Sequence, residues 1–156
     1  MIKPEDLRNE IIKPTLKALA EFNPKLYSEA AVDLLMGTAA VESRLGYNLV
    51  QEHGPALGIF QMEEATHEDI WRYLERDKNK LLRELVRMMD VTAEAMVYNL
   101  KYAAAMARIR FWYVPEALPE TLEGQAAYYK SYYNTHKGAG SVEKYLAMHK
   151  KYLGDK

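Results

Sequence analysis

The sequence predicts an all-α, mainly helical fold in a single domain that spans residues 1–156. The length of 156 residues is that of one ordinary domain with one hydrophobic core. Hydrophobic residues make up 49% of the chain and charged residues 28%, which is a globular composition. Apolar residues recur at helical spacing along most of the chain, so helices are expected to dominate.

The first part of the chain is predicted to form two helices and then an irregular segment. Residues 4–21 are amphipathic, and Pro14 is expected to kink or split their helix because proline lacks a backbone N–H. Ser28 is predicted to cap a second helix that runs to about Leu45. Gly46 is expected to end this helix, and residues 47–61, which hold Gly54, Pro55 and Gly58, are predicted to form a loop or a short irregular β-like pair.

The second part of the chain is predicted to hold only helices and their connections. The predicted helix starts are Thr66 as a cap, Leu81, Thr92 as a cap, Thr121 as a cap, and Ser141. The longest of these helices runs from residue 93 to about residue 113 and is rich in Ala, Met and Leu. The glycines of residues 138–140 are expected to separate the last helix, which runs to about Leu153, from the one before it.

The composition argues against several classes of protein. The formal net charge is −1, so nucleic acid is not an expected partner. There are no cysteines, which excludes disulfides, thiolate metal sites and cysteine nucleophiles. No apolar run approaches the ~20 residues that a membrane span requires, so no membrane insertion is expected. The charged N-terminus is unlike a signal peptide, and we expect a protein that is cytoplasmic on synthesis.

Glu42 occupies an unusual position on the predicted second helix. With Ala31 at zero on a helical wheel, Glu42 falls at about 20°, within a stripe that is otherwise largely apolar. A carboxyl group on a buried face must either be paired or keep its proton, and a general acid needs the second property. The wheel alone leaves two interpretations open: a general acid, or a buried glutamate with a structural partner.

The residues after Glu42 carry a family resemblance. A Glu-Ser pair at a helix end is followed by a Gly-Ala-x-Gly-x-x-Gln-like segment, and the residues concerned are Glu42, Ser43, Gly54, Ala56, Gly58, Gln61 and Thr66. This pattern resembles the group of soluble lytic transglycosylases and goose-type lysozymes. Two later blocks are similar to the same group and hold Met96, Asn99 and Tyr102, then Ala126, Ala127, Tyr133, Asn134 and residues 138–142.

The chain also departs from the pattern of that group. Ala95 and Asn99 stand where the group has an asparagine and a glycine, and Glu64 stands where it has a proline. The serine that the group carries in the loop is replaced by Gln51 or Glu52. These departures affect the expected sugar subsites and the reaction outcome more than they affect Glu42.

The resemblance implies a lysozyme-like fold and a muralytic activity. Glu42 would protonate the glycosidic oxygen between N-acetylmuramic acid and N-acetylglucosamine, and the C6 hydroxyl of the muramic acid would act as the nucleophile. The substrate-binding residues that we expect are Gln61, Tyr133, Asn134, Ser43, Gly58 and Tyr102. The expected partner is peptidoglycan, with no cofactor or metal, and a monomer is expected. Enzymes of this size without an export signal resemble bacteriophage endolysins and virion-associated lysins.

Three alternatives remain open from the sequence. A hydrolytic lysozyme would need a second carboxylate, for which Glu52 and Glu63 are the candidates. A di-iron enzyme would use the Glu-x-x-His element formed by Glu64 and His67, but neither His136 nor His149 has a glutamate at the same spacing. A non-catalytic wall-binding or virion structural module would keep only the fold.

Overall fold

The computed structural model describes residues 1–134 and 141–154, and this part of the chain is all-α, as the sequence predicts. The α-helices are α1 (Pro4–Asp6), α2 (Lys13–Leu19), α3 (Glu29–Ser43), α4 (Glu64–Leu74), α5 (Lys80–Arg87), α6 (Ala95–Tyr98), α7 (Leu100–Trp112), α8 (Leu122–Tyr132) and α9 (Ser141–Leu153). A π-helical segment (Leu7–Ile12) joins α1 to α2, and 3₁₀ turns cover Pro24–Leu26 and Asp77–Asn79. In the ranges that are described, isolated β-bridges take the place of strands.

Pro14 interrupts the first helix through a widened turn. The backbone N–H of Lys13 bonds to the carbonyl of Arg8, five residues back, at the end of the π-helical segment. Pro14 follows as the second residue of α2, where it can donate no backbone hydrogen bond to the turn before it. The expected split at Pro14 is therefore a change of helix type within one continuous helical stretch.

The ends of α3 are set by local side-chain and backbone geometry. The Ser28 hydroxyl accepts a hydrogen bond of 3.0 Å from the backbone N–H of Ala31, which confirms the predicted N-cap. At the other end Arg44 and Leu45 take left-handed backbone angles (φ of 54° and 58°), followed by Gly46 at φ 88°. The helix therefore ends at Ser43, two residues before the predicted end, because the next three residues leave the right-handed helical conformation.

Helix α3 is the central helix of the fold. It packs against the π-helical segment, α7, α8 and α9, so that residues on most of its sides are buried. Gly37 lets α9 come close: a Cβ atom at Gly37 would lie 2.0 Å from the hydroxyl oxygen of Tyr145. Tyr145 is fully buried in the resulting contact. The helix that carries Glu42 is therefore packed against other helices on several sides.

The predicted long helix over residues 93–113 is wrong, because it is two helices. Asn99, with extended angles of φ −109° and ψ 94°, separates α6 from α7. Its side-chain oxygen accepts from the backbone N–H of Tyr102 at 3.0 Å, and its Nδ2 donates to the carbonyl of Met89 at 3.0 Å. Asn99 thus acts as an N-cap inside the pattern that predicted one helix.

Two of the other predicted helix starts are confirmed, whereas the cap predicted at Thr92 is wrong, because α6 begins at Ala95 after Glu94. The Thr121 hydroxyl accepts from the backbone N–H of Gly124 at 3.0 Å, and α9 begins at Ser141. The predicted cap at Thr66 is wrong, because α4 begins two residues earlier, after Glu63. The break expected at residues 138–140 lies outside the described residues.

The segment between α3 and α4 is the irregular loop that the sequence predicts. It holds two antiparallel β-bridges, one between Val50 and Leu57 and one between Leu57 and Met62. Leu57 therefore pairs on both sides, which folds residues 50–62 back on themselves. Across the described ranges, no helix has both the length and the apolar character that a membrane crossing would need.

Candidate functional site

Glu42 lies in the last turn of α3 and receives hydrogen bonds from the end of α8. The hydroxyl of Tyr129 donates to Glu42 Oε2 in a short hydrogen bond. The Nδ2 of Asn134 lies 3.4 Å from the same carboxylate oxygen and 2.7 Å from the Tyr129 hydroxyl oxygen. Glu42 is half-buried, so it keeps some contact with solvent. Two donors from one neighbouring helix end therefore fix the position of this carboxyl group.

Tyr129 is well suited to act as a permanent donor to Glu42. It is 1% exposed. Burial, and then the negative charge of Glu42, raise the pKa of Tyr129 far above its ordinary value. The phenol therefore stays protonated at neutral pH and well above it. The sequence analysis did not single out Tyr129, because no local pattern connects it to Glu42.

Tyr133 joins the end of α8 to the loop between α3 and α4. Its hydroxyl donates to the backbone carbonyl of Phe60 at 2.6 Å. Its ring stacks on Phe111, with centroids 5.2 Å apart, and on Tyr129 at 5.8 Å. The predicted substrate-binding residue Tyr133 thus lies beside the cluster of Glu42, Tyr129 and Asn134, which we call the Glu42 cluster. Its hydroxyl binds the backbone of the loop.

Ser43 anchors the same loop from the α3 side. Its hydroxyl donates to the carbonyl of Ile59 at 2.6 Å and accepts from the backbone N–H of Gly46 at 2.9 Å. The side chain is 1% exposed. Ser43, which the sequence analysis predicts to bind substrate, is placed where it holds Ile59 next to the end of α3.

Gly58 and Gln61 shape the inner part of the loop. Gly58 has φ +80°, and a Cβ atom there would lie 2.2 Å from the backbone carbonyl oxygen of Met96. Gln61 also has a left-handed backbone (φ 49°), and its side-chain amide donates to the Gly58 carbonyl at 2.9 Å. Glycine is therefore required at position 58 because the backbone of α6 lies too close for a side chain. Gln61 is half-buried and keeps its side-chain oxygen for other partners.

Tyr102 lies in a second hydrogen-bond network. It is fully buried, and its hydroxyl contacts His67 Nε2 at 2.6 Å and accepts from Trp71 Nε1 at 2.9 Å. Burial raises the pKa of Tyr102 to about 12. These contacts join α7 to α4, so the structure does not bring Tyr102 into the group of residues that hydrogen-bond to Glu42.

Glu52 and Glu63, the candidate second carboxylates, are exposed. The Glu52 side chain is 90% exposed and lies 3.5 Å from the ring of His53. Glu63 is the exposed residue immediately before α4. In the part of the chain that the structure describes, neither carboxylate forms a hydrogen bond with Tyr129 or Asn134. Neither is therefore joined to the Glu42 cluster.

The described residues offer no group of three or more histidine, aspartate or glutamate side chains that could hold a metal ion. In the Glu-x-x-His element, the Nε2 of His67 faces the hydroxyl of Tyr102. Glu64 is exposed at the start of α4. Among the described residues, the two side chains are not hydrogen-bonded to each other.

The arrangement around Glu42 can move a proton. A half-buried carboxyl group with fixed orientation can donate a proton to a bound leaving group and accept one afterwards. The groups that support this carboxyl group are the Tyr129 phenol, the Asn134 amide and the loop that Ser43 and Tyr133 hold in place.

No protein-family model, curated protein or solved structure was found to match this chain.

Proposed function

We propose that the protein degrades peptidoglycan by cleaving the β-1,4 bond between N-acetylmuramic acid and N-acetylglucosamine. The observation that carries the proposal is the placement of Glu42 at the end of the central helix, oriented by Tyr129 and Asn134. The resemblance of the Glu-Ser pair and the later Tyr133-Asn134 pair to soluble lytic transglycosylases and goose-type lysozymes supports the same assignment. Their side chains come together although they lie far apart in the sequence.

The proposed reaction uses one carboxyl group as acid and then as base. Glu42 gives its proton to the glycosidic oxygen while the bond from that oxygen to C1 of the muramic acid breaks. The C6 hydroxyl of the same sugar then forms a bond to C1, and its proton returns to Glu42. The products are a free 4-hydroxyl on N-acetylglucosamine and a 1,6-anhydro-muramic end. The carboxyl group is unchanged at the end of the cycle.

The exposed positions of Glu52 and Glu63 favour this transglycosylase reaction over hydrolysis. An inverting hydrolase needs a second carboxylate about 6.5–9.5 Å from the acid, and a retaining one needs it closer still. The carboxyl groups that could serve are in solvent and outside the network that orients Glu42. An intramolecular nucleophile needs no such second group.

The test is mass spectrometry of the soluble products released from purified peptidoglycan. We expect muropeptides that end in 1,6-anhydro-muramic acid, each lighter by one water than its hydrolysed counterpart. Glu42→Gln keeps the size of the side chain and should lower the rate by about 10²-fold or more, because a general acid typically contributes that much. Its unfolding transition should stay close to that of the wild type.

The other outcomes would each select another function. Reducing muramic ends would indicate a hydrolase and would direct the search for a base to Glu52 and Glu63. Reducing N-acetylglucosamine ends would move the cleavage to the other glycosidic bond. Binding to peptidoglycan without products from either wild type or Glu42→Gln would indicate a non-catalytic wall-binding or virion module.

A further inference from the structure

A cavity lies between α4 and the segment that precedes α6. Its volume is about 450 Å³. Its walls include the glutamates Glu64, Glu68 and Glu94, together with the rings of His67 and Trp71. None of these five residues hydrogen-bonds to Glu42, and the proposed reaction uses none of them.

The charge of this cavity is strongly negative. Glu64, Glu68 and Glu94 form no ion pair with any residue that the structure describes, and all three are exposed at its rim. The one arginine that borders the cavity, Arg72, is hydrogen-bonded to Asp69. Three carboxylates without a cationic partner favour a ligand that carries a positive charge.

His67 provides an independent sign of a ligand in the same place. The residue is 5% exposed, and its Nε2 is held by the Tyr102 hydroxyl at 2.6 Å. That hydroxyl accepts from Trp71 Nε1, and among the described residues His67 Nε2 is the acceptor within reach of its own proton, so we assign that proton to the bond with His67 Nε2. The proton of the neutral ring is therefore on Nδ1, and burial, by lowering the pKa of His67, keeps the ring neutral at pH 7.

The Nδ1–H group of His67 has no hydrogen-bond partner within residues 1–134 and 141–154. The polar side-chain atoms that are fully buried without a partner belong to other residues: Arg108, Gln125, Asn134 and His149. His67 Nδ1 is not among them and therefore keeps accessible surface, and His67 is one of the residues that line the cavity. A ligand with a hydrogen-bond acceptor, such as an amide carbonyl, would complete this site.

Trp71 supplies the third feature of the cavity. Its ring is half-buried, and its Nε1 is occupied by Tyr102. This hydrogen bond to Tyr102 fixes the orientation of the indole ring, and Trp71 also lines the cavity. An aromatic face beside carboxylates suits an ammonium group on an aliphatic chain, through cation–π attraction and contact with the methylene groups.

We propose that this cavity binds a short peptide that carries a side-chain amine. The carboxylates of Glu68 and Glu94 attract the ammonium group, Trp71 packs on its methylene chain, and His67 Nδ1–H donates to a peptide carbonyl. The identification of this peptide as the amine-bearing stem of peptidoglycan rests on the proposed function. The binding of the amine itself does not depend on it.

The cavity adjoins the loop beside Glu42. Gln61 and Glu64 are three residues apart, so their Cα atoms lie within about 11 Å of each other. Gly58 of the same loop touches the backbone of Met96, two residues after Glu94. A glycan strand near Glu42 could therefore place its peptide stem in this cavity.

The experiment is a titration of the protein with Nα-acetyl-lysine amide, followed by the ¹H–¹⁵N indole signal of Trp71. The chain has two tryptophans, and Trp112→Phe identifies the signal of Trp71. We expect a saturable shift with the free amine and a much weaker response to Nα,Nε-diacetyl-lysine amide, which lacks the charge. Glu68→Gln/Glu94→Gln should raise the dissociation constant about five- to tenfold, as expected for two partly exposed charge contacts.

The matched control is Glu10→Gln/Glu123→Gln, which removes the same charge from exposed positions away from the cavity. It should leave the dissociation constant within about twofold, since distant surface charges are screened. Equal responses to both lysine derivatives, an equal loss in the two double variants, or no response would overturn the proposal. Because the readout is binding, a protein that binds the amine without cleaving peptidoglycan refutes only the proposed function. One that cleaves without binding refutes only this site.

Discussion

The Tyr129 hydroxyl donates a hydrogen bond to the carboxylate of Glu42, across 87 positions of the chain. The donor is fully protonated because burial raises its pKa, so the bond does not depend on pH in the working range. The same hydroxyl accepts from Asn134, which also approaches Glu42. A carboxyl group held in this way has one orientation, which a proton transfer to a bound sugar requires.

Removing this donor should lower the activity more than the stability. We expect Tyr129→Phe to reduce kcat/KM about tenfold or more, because Glu42 would lose its short hydrogen bond, and the contact with Asn134, at 3.4 Å, is longer. The measurement is the rate of peptidoglycan solubilisation together with a urea unfolding curve. Tyr128→Phe is the control: its neighbouring hydroxyl bonds at 3.0 Å to the backbone carbonyl of Glu116, and its loss should leave the rate nearly unchanged. Equal rates for the two variants would contradict a positioning role for Tyr129.

Ser43 should act on the activity through the loop that it anchors. Ser43→Ala leaves the carbonyl of Ile59 without its 2.6 Å donor, so we expect a loss of about 1–3 kcal/mol in unfolding free energy. The loop beside Glu42 should also become less ordered, which lowers kcat/KM at temperatures where the variant is fully folded. Thr38→Val is the control, because within the described residues the Thr38 hydroxyl bonds inside α3 alone, to the Leu34 carbonyl at 2.7 Å. A Ser43→Ala variant with wild-type kcat/KM would show that Ser43 contributes to the folding stability and not to the activity.

Gly58 should be intolerant of any side chain. Its φ of +80° and the 2.2 Å approach of a Cβ to the Met96 carbonyl combine backbone strain with a clash against backbone atoms. We expect Gly58→Ala to lower the unfolding free energy by about 2–4 kcal/mol. Gly154→Ala separates the two effects, since Gly154 has φ +82° with no atom within 4 Å of its Cβ position. Its cost should be only about 1 kcal/mol. Similar costs at both positions, measured by chemical unfolding, would show that the contact with Met96 contributes little.

The helices could be predicted where a local signal controls them. Ser28 and Thr121 each accept a hydrogen bond from the backbone N–H three residues on, and both caps are readable from sequence. Asn99 makes the same kind of cap, but it stands within a continuous run of good helix formers. The break between α6 and α7 also depends on the contact of its side chain with Met89, which no sequence spacing reveals.

The candidate site could be predicted only in part, for a physical reason. The helical wheel placed Glu42 on an apolar stripe, but α3 is buried on most sides, so the stripe does not distinguish one face. What distinguishes Glu42 is its place at the end of the helix, near Tyr129 and Asn134. Tyr129 is one of four closely spaced tyrosines in residues 128–133, and only tertiary packing decides which of them meets the carboxylate.

The buried pair of His67 and Tyr102 should make the stability of the protein depend on pH. Burial lowers the pKa of His67 below 6.5, so between 6.5 and that lower value the unfolded chain binds a proton that the folded chain does not. The contribution of His67 is therefore complete above pH 6.5 and is lost as the pH falls below it. In urea unfolding between pH 8 and pH 5, the wild type should lose more unfolding free energy than His67→Gln, whose amide oxygen can still accept from Tyr102. His53→Gln, at an exposed position, should follow the wild type. Parallel curves for wild type and His67→Gln would contradict this prediction. They would show that the folded protein accommodates a protonated His67 ring, and that the network with Tyr102 does not require the neutral form.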